Sequence, residues 1–229
     1  MKLAPNAAIL PIRNGQGGNL VLAWDDTNLV LIDAGYPNDF DEITQAIAAE
    51  GFNAANLTHL IITHQDWDHV GCIAELQKIA PKMQIYAHSD ELEYLDGTTN
   101  PIKLANMLAK YETLDDGGKD FCNMWKNFYA NQKIGKITAV ADKETWEICG
   151  GIEFVHVPGH TPGHIAPYLQ ASKILVCGDA ANIHDGQMVG SNPVYTHDMP
   201  LAEKSLAKMQ SYPLSGIVAY HGGFLAISK

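Results

Sequence analysis

"THLIITHQDWDHVG", residues 58–71, carries an apolar run straight into His64, Asp66, Asp68 and His69. The run "LTHLIIT" reads as a strand buried on both faces, because it lacks the alternation of a half-exposed one. Two carboxylates and two imidazoles beside such a strand need a partner of opposite charge, since burying unpaired charge is costly. Imidazole nitrogen and carboxylate oxygen are the usual ligands of zinc and other first-row divalent metals. A strand end suits them, because a rigid sheet fixes the loop that follows. The stretch therefore reads as one part of a metal centre at a sheet edge.

Upstream of it, "AAILPI", "NLVLAW" and "NLVLIDAG" are strand-like, the last two joined by the turn-rich "DDT" as in a hairpin. Residues 39–50, "DFDEITQAIAAE", space Ile43, Ile47 and Ala48 as a helix does and stop at Gly51. Downstream, "GCIAELQKIA" reads as a helix ending before Pro81, and "MQIYAH" as a strand. Residues 89–131 differ, being helical in pattern and rich in Met and aromatics. "DELEYL" offers Asp90 as an N-cap with Glu93 three residues on. "PIKLANMLAKYETL" puts Pro101 at a first helical position. "KDFCNMWKNFYAN" sets Phe121, Met124, Trp125 and Phe128 at helical spacing. Strand signals return in "KITAV", "TWEICGG", "IEFVHVPG", "HIAPYLQ" and "KILVCGD", followed by the helix "PLAEKSLAKMQ" and the strand "GIVAYHGG". No linker or low-complexity stretch divides the chain. It reads as one α/β domain over residues 1–229, two sheet halves each covered by helices on its outer side, with a helical insertion at about 89–131.

The net charge is −11, from 26 acidic and 15 basic residues, and Arg13 is the single arginine. Nucleic-acid backbones are gripped by clustered Arg and Lys, so a nucleic-acid partner is not expected. No apolar run approaches the roughly 18 residues of a membrane span, so no membrane partner is expected either. The opening residues, 1–15, read as a first strand rather than a signal peptide. Cys72, Cys122, Cys149 and Cys177 form no C-x-x-C pair. That pattern favours reduced thiols and a cytoplasmic location.

Four more stretches end a strand-like segment on a potential ligand: "VLIDAG" (Asp33), "VPGHTPGH" (His160 and His164), "LVCGDA" (Asp179) and "VAYHGG" (His221). Singly, each has an ordinary explanation, such as a turn aspartate before glycine. Together, and in this order after "THQDWDHVG", they resemble the metallo-β-lactamase superfamily. That resemblance implies a four-layer αββα sandwich with a mono- or binuclear metal site at one edge. The superfamily's first metal stretch is H-x-H-x-D-H, and here it reads His64-Gln65-Asp66-Trp67-Asp68-His69. Asp66 thus occupies the place of the second histidine. By resemblance, one metal takes His64, Asp66 and His160, and the other takes Asp68, His69 and His221. Asp179 bridges the two, Asp33 orients neighbouring loops, and His164 supports the ligands from behind.

The chemistry this implies is hydrolysis, with a hydroxide bridging two divalent ions as nucleophile, and Asp68 and Asp179 central to holding it. Zinc is the expected metal, with iron or manganese as alternatives favoured by the harder carboxylate ligand. Asp66 adds a negative charge where histidine would be neutral, which weakens the Lewis acid; the opposite reading is that it leaves a mononuclear site. Small esters, thioesters and lactones are the expected substrates. An iron-dependent redox enzyme and a non-catalytic metal-binding module are the competing readings. Trp67, Trp125 and Tyr195 are candidates for lining the substrate pocket, and the Met and aromatic surface of residues 89–131 suggests a homodimer.

Overall fold

The computed structural model describes residues 1–13, 17–132 and 134–227. Of the opening segment read as strand, residues 14 and 15 lie outside these. The first sheet takes its strands in chain order: β1 (Lys2–Ala4), β2 (Ala7–Ile12), β3 (Gly18–Trp24), β4 (Leu29–Ile32), β5 (His59–Ile61), β6 (Gln84–His88) and β7 (Ile137–Val140). Short turns join β1 to β4, and these pair antiparallel. From β4 to β7 the pairing is parallel, which requires crossovers long enough to return the chain to the starting edge. Helices supply them: α1 (Phe40–Ala49), then α2 (Trp67–Val70) with α3 (Ile73–Ile79), then α4 (Leu92–Leu95), α5 (Ile102–Ala109) and α6 (Asp116–Asn131).

The second sheet contains β8 (Thr145–Trp146), β9 (Ile152–His156), β10 (Ile165–Leu169), β11 (Ile174–Gly178), β14 (Gly216–Ala219) and β15 (Gly223–Ala226). Its spatial order is β15-β14-β11-β10-β9-β8. Only β11 and β14 run parallel. The chain between them forms the hairpin β12 (Ala181–His184) and β13 (Gln187–Gly190), then α7 (Met199–Gln210).

Alternation along the strands explains the layering. Val30 and Ile32 of β4 and Ile61 of β5 face the second sheet, meeting Ile165, Val176 and Val218. Leu29, Leu31 and Leu60 point the other way, onto Ile43 and Ile47 of α1 and Ile73 and Leu76 of α3. Behind the second sheet, Leu175, Cys177 and Ile217 pack on Met209 of α7. Helix, sheet, sheet and helix thus stack as the αββα sandwich expected from sequence. All four cysteines are buried and free. Among the described residues, no helix is long and apolar enough to cross a membrane.

Local details depart from the sequence reading. The strand expected over residues 57–63 pairs only over His59–Ile61, because the Thr63 N–H turns to the Asp33 carboxylate instead of a neighbouring strand. Asp90 does not cap α4, which starts one residue later without a side-chain cap. Asp90 lies in the single turn Ser89–Glu91, whose cap is His88 Nδ1 accepting from the Asp90 N–H. Pro101 is the N-cap of α5 rather than its first helical residue. Of "TWEICGG", only Thr145 and Trp146 form strand.

Candidate metal centre

Each ligand candidate lies just beyond a strand. Asp33 follows β4, and His64 and Asp66 follow β5, with Asp68 and His69 on the short α2. His160 and His164 lie between β9 and β10, Asp179 follows β11, and His221 follows β14. Parallel neighbours β4 and β5 in one sheet, and β11 and β14 in the other, end at the same edge of the sandwich. That is where an open α/β sheet positions polar groups without breaking its apolar core.

Two overlapping donor sets result. One is His64, Asp66, His160 and Asp179; the other is Asp68, His69, Asp179 and His221, and within each set the donor atoms lie within 4.8 Å of one another. Asp66 Oδ2 is 3.1 Å from His64 Nε2 and 3.0 Å from His160 Nε2. Asp179 lies 3.5 Å from His69 Nε2 and 3.5 Å from His221 Nε2, and 3.7 Å from His160 Nε2. Asp68 Oδ2 approaches His221 Nε2 at 3.2 Å.

The outer nitrogens of three histidines are tied down, which turns their Nε2 atoms inward. His69 Nδ1 donates to Asp33 Oδ2 at 2.8 Å, and His160 Nδ1 pairs with Ser191 Oγ at 2.8 Å. His64 Nδ1 donates to Thr63 Oγ1, whose hydroxyl donates onward to Asp33. This is how proteins fix the tautomer of a ligating imidazole. His164 holds backbone: its Nε2 accepts from the Asp179 N–H at 3.1 Å, and its ring stacks on His64 at 4.5 Å.

The decisive feature is His69 Nε2, a buried nitrogen with no hydrogen-bond partner. With Nδ1–H committed to Asp33, Nε2 points between the carboxylates of Asp68 and Asp179. An imidazole nitrogen and two anions facing one point draw a cation, a proton or a metal ion. Electrostatics agree. Burial alone opposes protonation of His69, yet Asp33, Asp68 and Asp179 outweigh it and hold its pKa well above the usual imidazole value. His221 is pushed up to about 9, where Asp179 and Asp68 overcome burial. In the other set, burial and then His69 push His64 down to about 4, so it stays neutral as a ligand must.

A cavity of about 440 Å³ opens over the centre. Trp67, Trp125 and Tyr195 all line it, as do Tyr36 and Phe121. Trp67 contacts Phe121, Trp125 and Tyr36 with ring centroids 5.4–5.6 Å apart, which makes one continuous aromatic wall. The helical segment is fastened to the ligand loop by side chains that sequence reasoning passed over. Gln65 Oε1 accepts from the Ile102 N–H at 2.8 Å, and Tyr129 Oη donates to the Gln65 carbonyl. Fully buried Glu91 accepts from the Gln65 N–H and Nε2 and, across the gap, from the Gly163 N–H. It thus joins the loop bearing His64 and Asp66 to the loop bearing His160. Burial pushes its carboxyl up to about 7, against the lowering effect of its hydrogen bonds, those from Gln65 and Gly163 among them. Glu91→Gln should replace one acceptor by an amide donor facing N–H, costing about 1–3 kcal/mol. We expect the melting temperature to fall by about 3–10 °C; an unchanged melting curve would mean that the joint does not hold the loops.

Lys103 is the other group without a sequence signal. It projects from the first turn of α5, and its Nζ contacts Asp66 Oδ2 and lies 3.2 Å from His160 Nε2. Its charge offsets the negative charge of Asp66 where the two are in contact. Among the described residues a third group, His88, Asp90 and His156, lies beside the Ser89–Glu91 turn. Its two rings stack 3.9 Å apart at 5°, so their lone pairs run parallel rather than converging on an ion.

A sandwich that gathers two His/Asp sets around a shared carboxylate at one edge is the framework of a metallo-hydrolase. The chain belongs to the metallo-beta-lactamase superfamily, which matches residues 13–221. It is 25% identical over 211 residues to the probable metallo-hydrolase YflN of Bacillus subtilis, covering 85% of this chain and 75% of that one. A hydroxyacylglutathione hydrolase of Haemophilus ducreyi is 24% identical over 166 residues, covering 72% of this chain and 51% of that one. The crystal structure of a metallo-beta-lactamase family protein from Thermus thermophilus superposes with a TM-score of 0.77 at 19% identity, covering 98% of this chain and 76% of that one.

Proposed function

We propose that the centre holds two divalent ions and hydrolyses a small ester, thioester or lactone. The observation that carries this reading is the shared Asp179 beside the unpaired, buried His69 Nε2, at the floor of an aromatic cavity. Bound ions would supply Lewis acidity to a carbonyl and lower the pKa of a water. His64, Asp66, His160 and Asp179 would hold one ion, and Asp68, His69, Asp179 and His221 the other. The four imidazoles favour zinc, while the carboxylates also accept manganese or iron.

The chain's own residues do the rest. Asp33, Thr63 and Ser191 keep the imidazoles aimed inward, and the wall of Trp67, Phe121 and Trp125 excludes water and receives an apolar acyl or alcohol portion. A distant hydroxyacylglutathione hydrolase lends modest support to an acyl substrate. Trp125→Ala should raise KM for the true substrate by about tenfold, the loss of roughly 1.4 kcal/mol of binding. Metal content should hold and the melting temperature move little; loss of metal or unfolding with normal substrate binding would make Trp125 plain core. The test of the function is a panel of thioesters, lactones and carboxylic esters on zinc-reconstituted protein. Saturable, chelator-sensitive turnover supports the reading. Oxygen uptake by iron-loaded protein, with no hydrolysis of any panel member, would replace it with a redox enzyme.

A further inference from the structure

We propose that Lys103 is a tethered competitor for one of the two metal positions, so that the two sites fill unequally and in a fixed order. The inference rests on reading the cluster as a two-metal centre. Its basis is where the ammonium stands. Lys103 Nζ contacts Asp66 Oδ2 and lies 3.2 Å from His160 Nε2, so it engages two of the four members of the Asp66 donor set. An ion bound by those same atoms would stand where the ammonium stands. Two cations cannot share that space, so metal entry must displace the lysine.

The placement is built into the fold. Gln65, buried and held by Glu91, accepts from the Ile102 N–H at 2.8 Å. Residues 65 and 66 therefore meet residues 102 and 103 in register, which sets the lysine against the aspartate. The Lys103 side chain is 23% exposed and the Asp66 side chain 5%, so the pair sits under the cavity rather than in bulk water. The carboxylate already has an ammonium as its partner, and a divalent ion gains correspondingly less there. The other set has no such rival: Asp68 and Asp179 face His69 and His221, and Lys103 is the single lysine or arginine among the described residues lining the cavity.

A displaced Lys103 has a resting place nearby. Its Nζ already lies 5.4 Å from the centroid of the Tyr195 ring, within range of a cation–π contact. The swing is one of side-chain rotamers and leaves α5 in place. The Asp68/His69/Asp179/His221 set therefore loads first, and the Asp66 set fills at higher metal concentration, as Lys103 moves to the cavity wall.

The test is zinc titration at pH 7.5 against a competing chromophoric chelator, with no substrate present. Wild-type protein should show a tight and a weaker step. Lys103→Met, which keeps the length and removes the charge, should tighten the weaker step by about tenfold or more and leave the tighter step within about twofold. Lys103→Gln should do the same, and serves if the Met variant folds poorly. In an Asp66→Asn background, where the lysine has lost its partner, the effect of Lys103→Met should largely vanish, a coupling that general damage does not produce. Unchanged steps in both lysine variants, or loosening of both steps, would overturn the inference while leaving the two-metal reading intact. Wild-type and variants that all bind less than about half an equivalent would remove the two-metal reading itself.

Discussion

Asp179→Ala is expected to leave the protein with less than about one metal equivalent and to lower hydrolytic activity by roughly a thousandfold or more. The loss should exceed that of Asp66→Ala. Asp179 is the one carboxylate shared by both donor sets, with oxygens 3.5 Å from His69 and His221 and 3.7 Å from His160. Removing it leaves each set a ligand short and separates the two positions. Asp66 belongs to one set only and already shares its charge with Lys103, so its loss should spare the Asp68 position. The comparison has a readout independent of any substrate. Metal that binds only the folded state stabilises it by about 2.7 kcal/mol at a hundredfold excess over Kd. Zinc should raise the melting temperature of the wild type and of Asp66→Ala, but scarcely that of Asp179→Ala. Full metal content and activity in Asp179→Ala would sink the assignment of the bridge.

The sandwich was legible because its strands announce themselves twice over. Runs such as "NLVLIDAG" and "KILVCGD" are apolar on both alternating faces, as a sheet covered on both sides requires, and each ends on a single aspartate. What the sequence concealed are features set by tertiary partners. The strand at residues 57–63 stops at Ile61 because Thr63 answers to Asp33, thirty residues away. The hairpin β12–β13 and the edge strand β15 are short, and nothing in their composition separates them from loop.

The candidate site divides in the same way. Its ligand candidates were legible because imidazole and carboxylate are scarce side chains at strand ends, and five such ends recur in order. The structure brings His64, Asp66, Asp68, His69, His160, Asp179 and His221 together, with Asp33 and His164 directly behind them. Trp67, Trp125 and Tyr195 fall on one cavity. Lys103, Gln65 and Glu91 escaped because each looks ordinary locally: a lysine on an amphipathic helix, a glutamine between ligands, a glutamate in an acidic run. Their roles depend on α5 and the ligand loop meeting in one register, which no local pattern encodes.

Gly71, the last letter of the opening stretch, carries the second large expectation. Gly71→Ala should destabilise the fold by about 3 kcal/mol or more. Its backbone conformation is not the reason, since its φ of −56° suits any residue. The reason is space. A Cβ there would lie 2.1 Å from the Tyr36 carbonyl carbon, 2.2 Å from Pro37 N and 2.5 Å from the Gly35 oxygen, all backbone atoms that cannot swing aside. The two segments are laced together at this point. Ala34 N–H donates to the His69 carbonyl, Gly71 N–H to Gly35, and Cys72 N–H to Ala34, at 2.8–3.0 Å. Forcing them apart by about an ångström breaks that lacing and draws His69 away from Asp33, which fixes its tautomer at 2.8 Å. The expected result is a melting temperature lower by about 6–12 °C, together with weaker zinc binding at the Asp68/His69 position. Gly51→Ala is the control: its φ of +90° disfavours a side chain, but nothing lies within 4 Å, so the cost should stay near 1 kcal/mol with zinc binding unchanged. If Gly71→Ala melts within about 2 °C of wild type, the close approach of the 34–37 and 69–72 segments does not hold His69 in place, and Asp33 must do so alone.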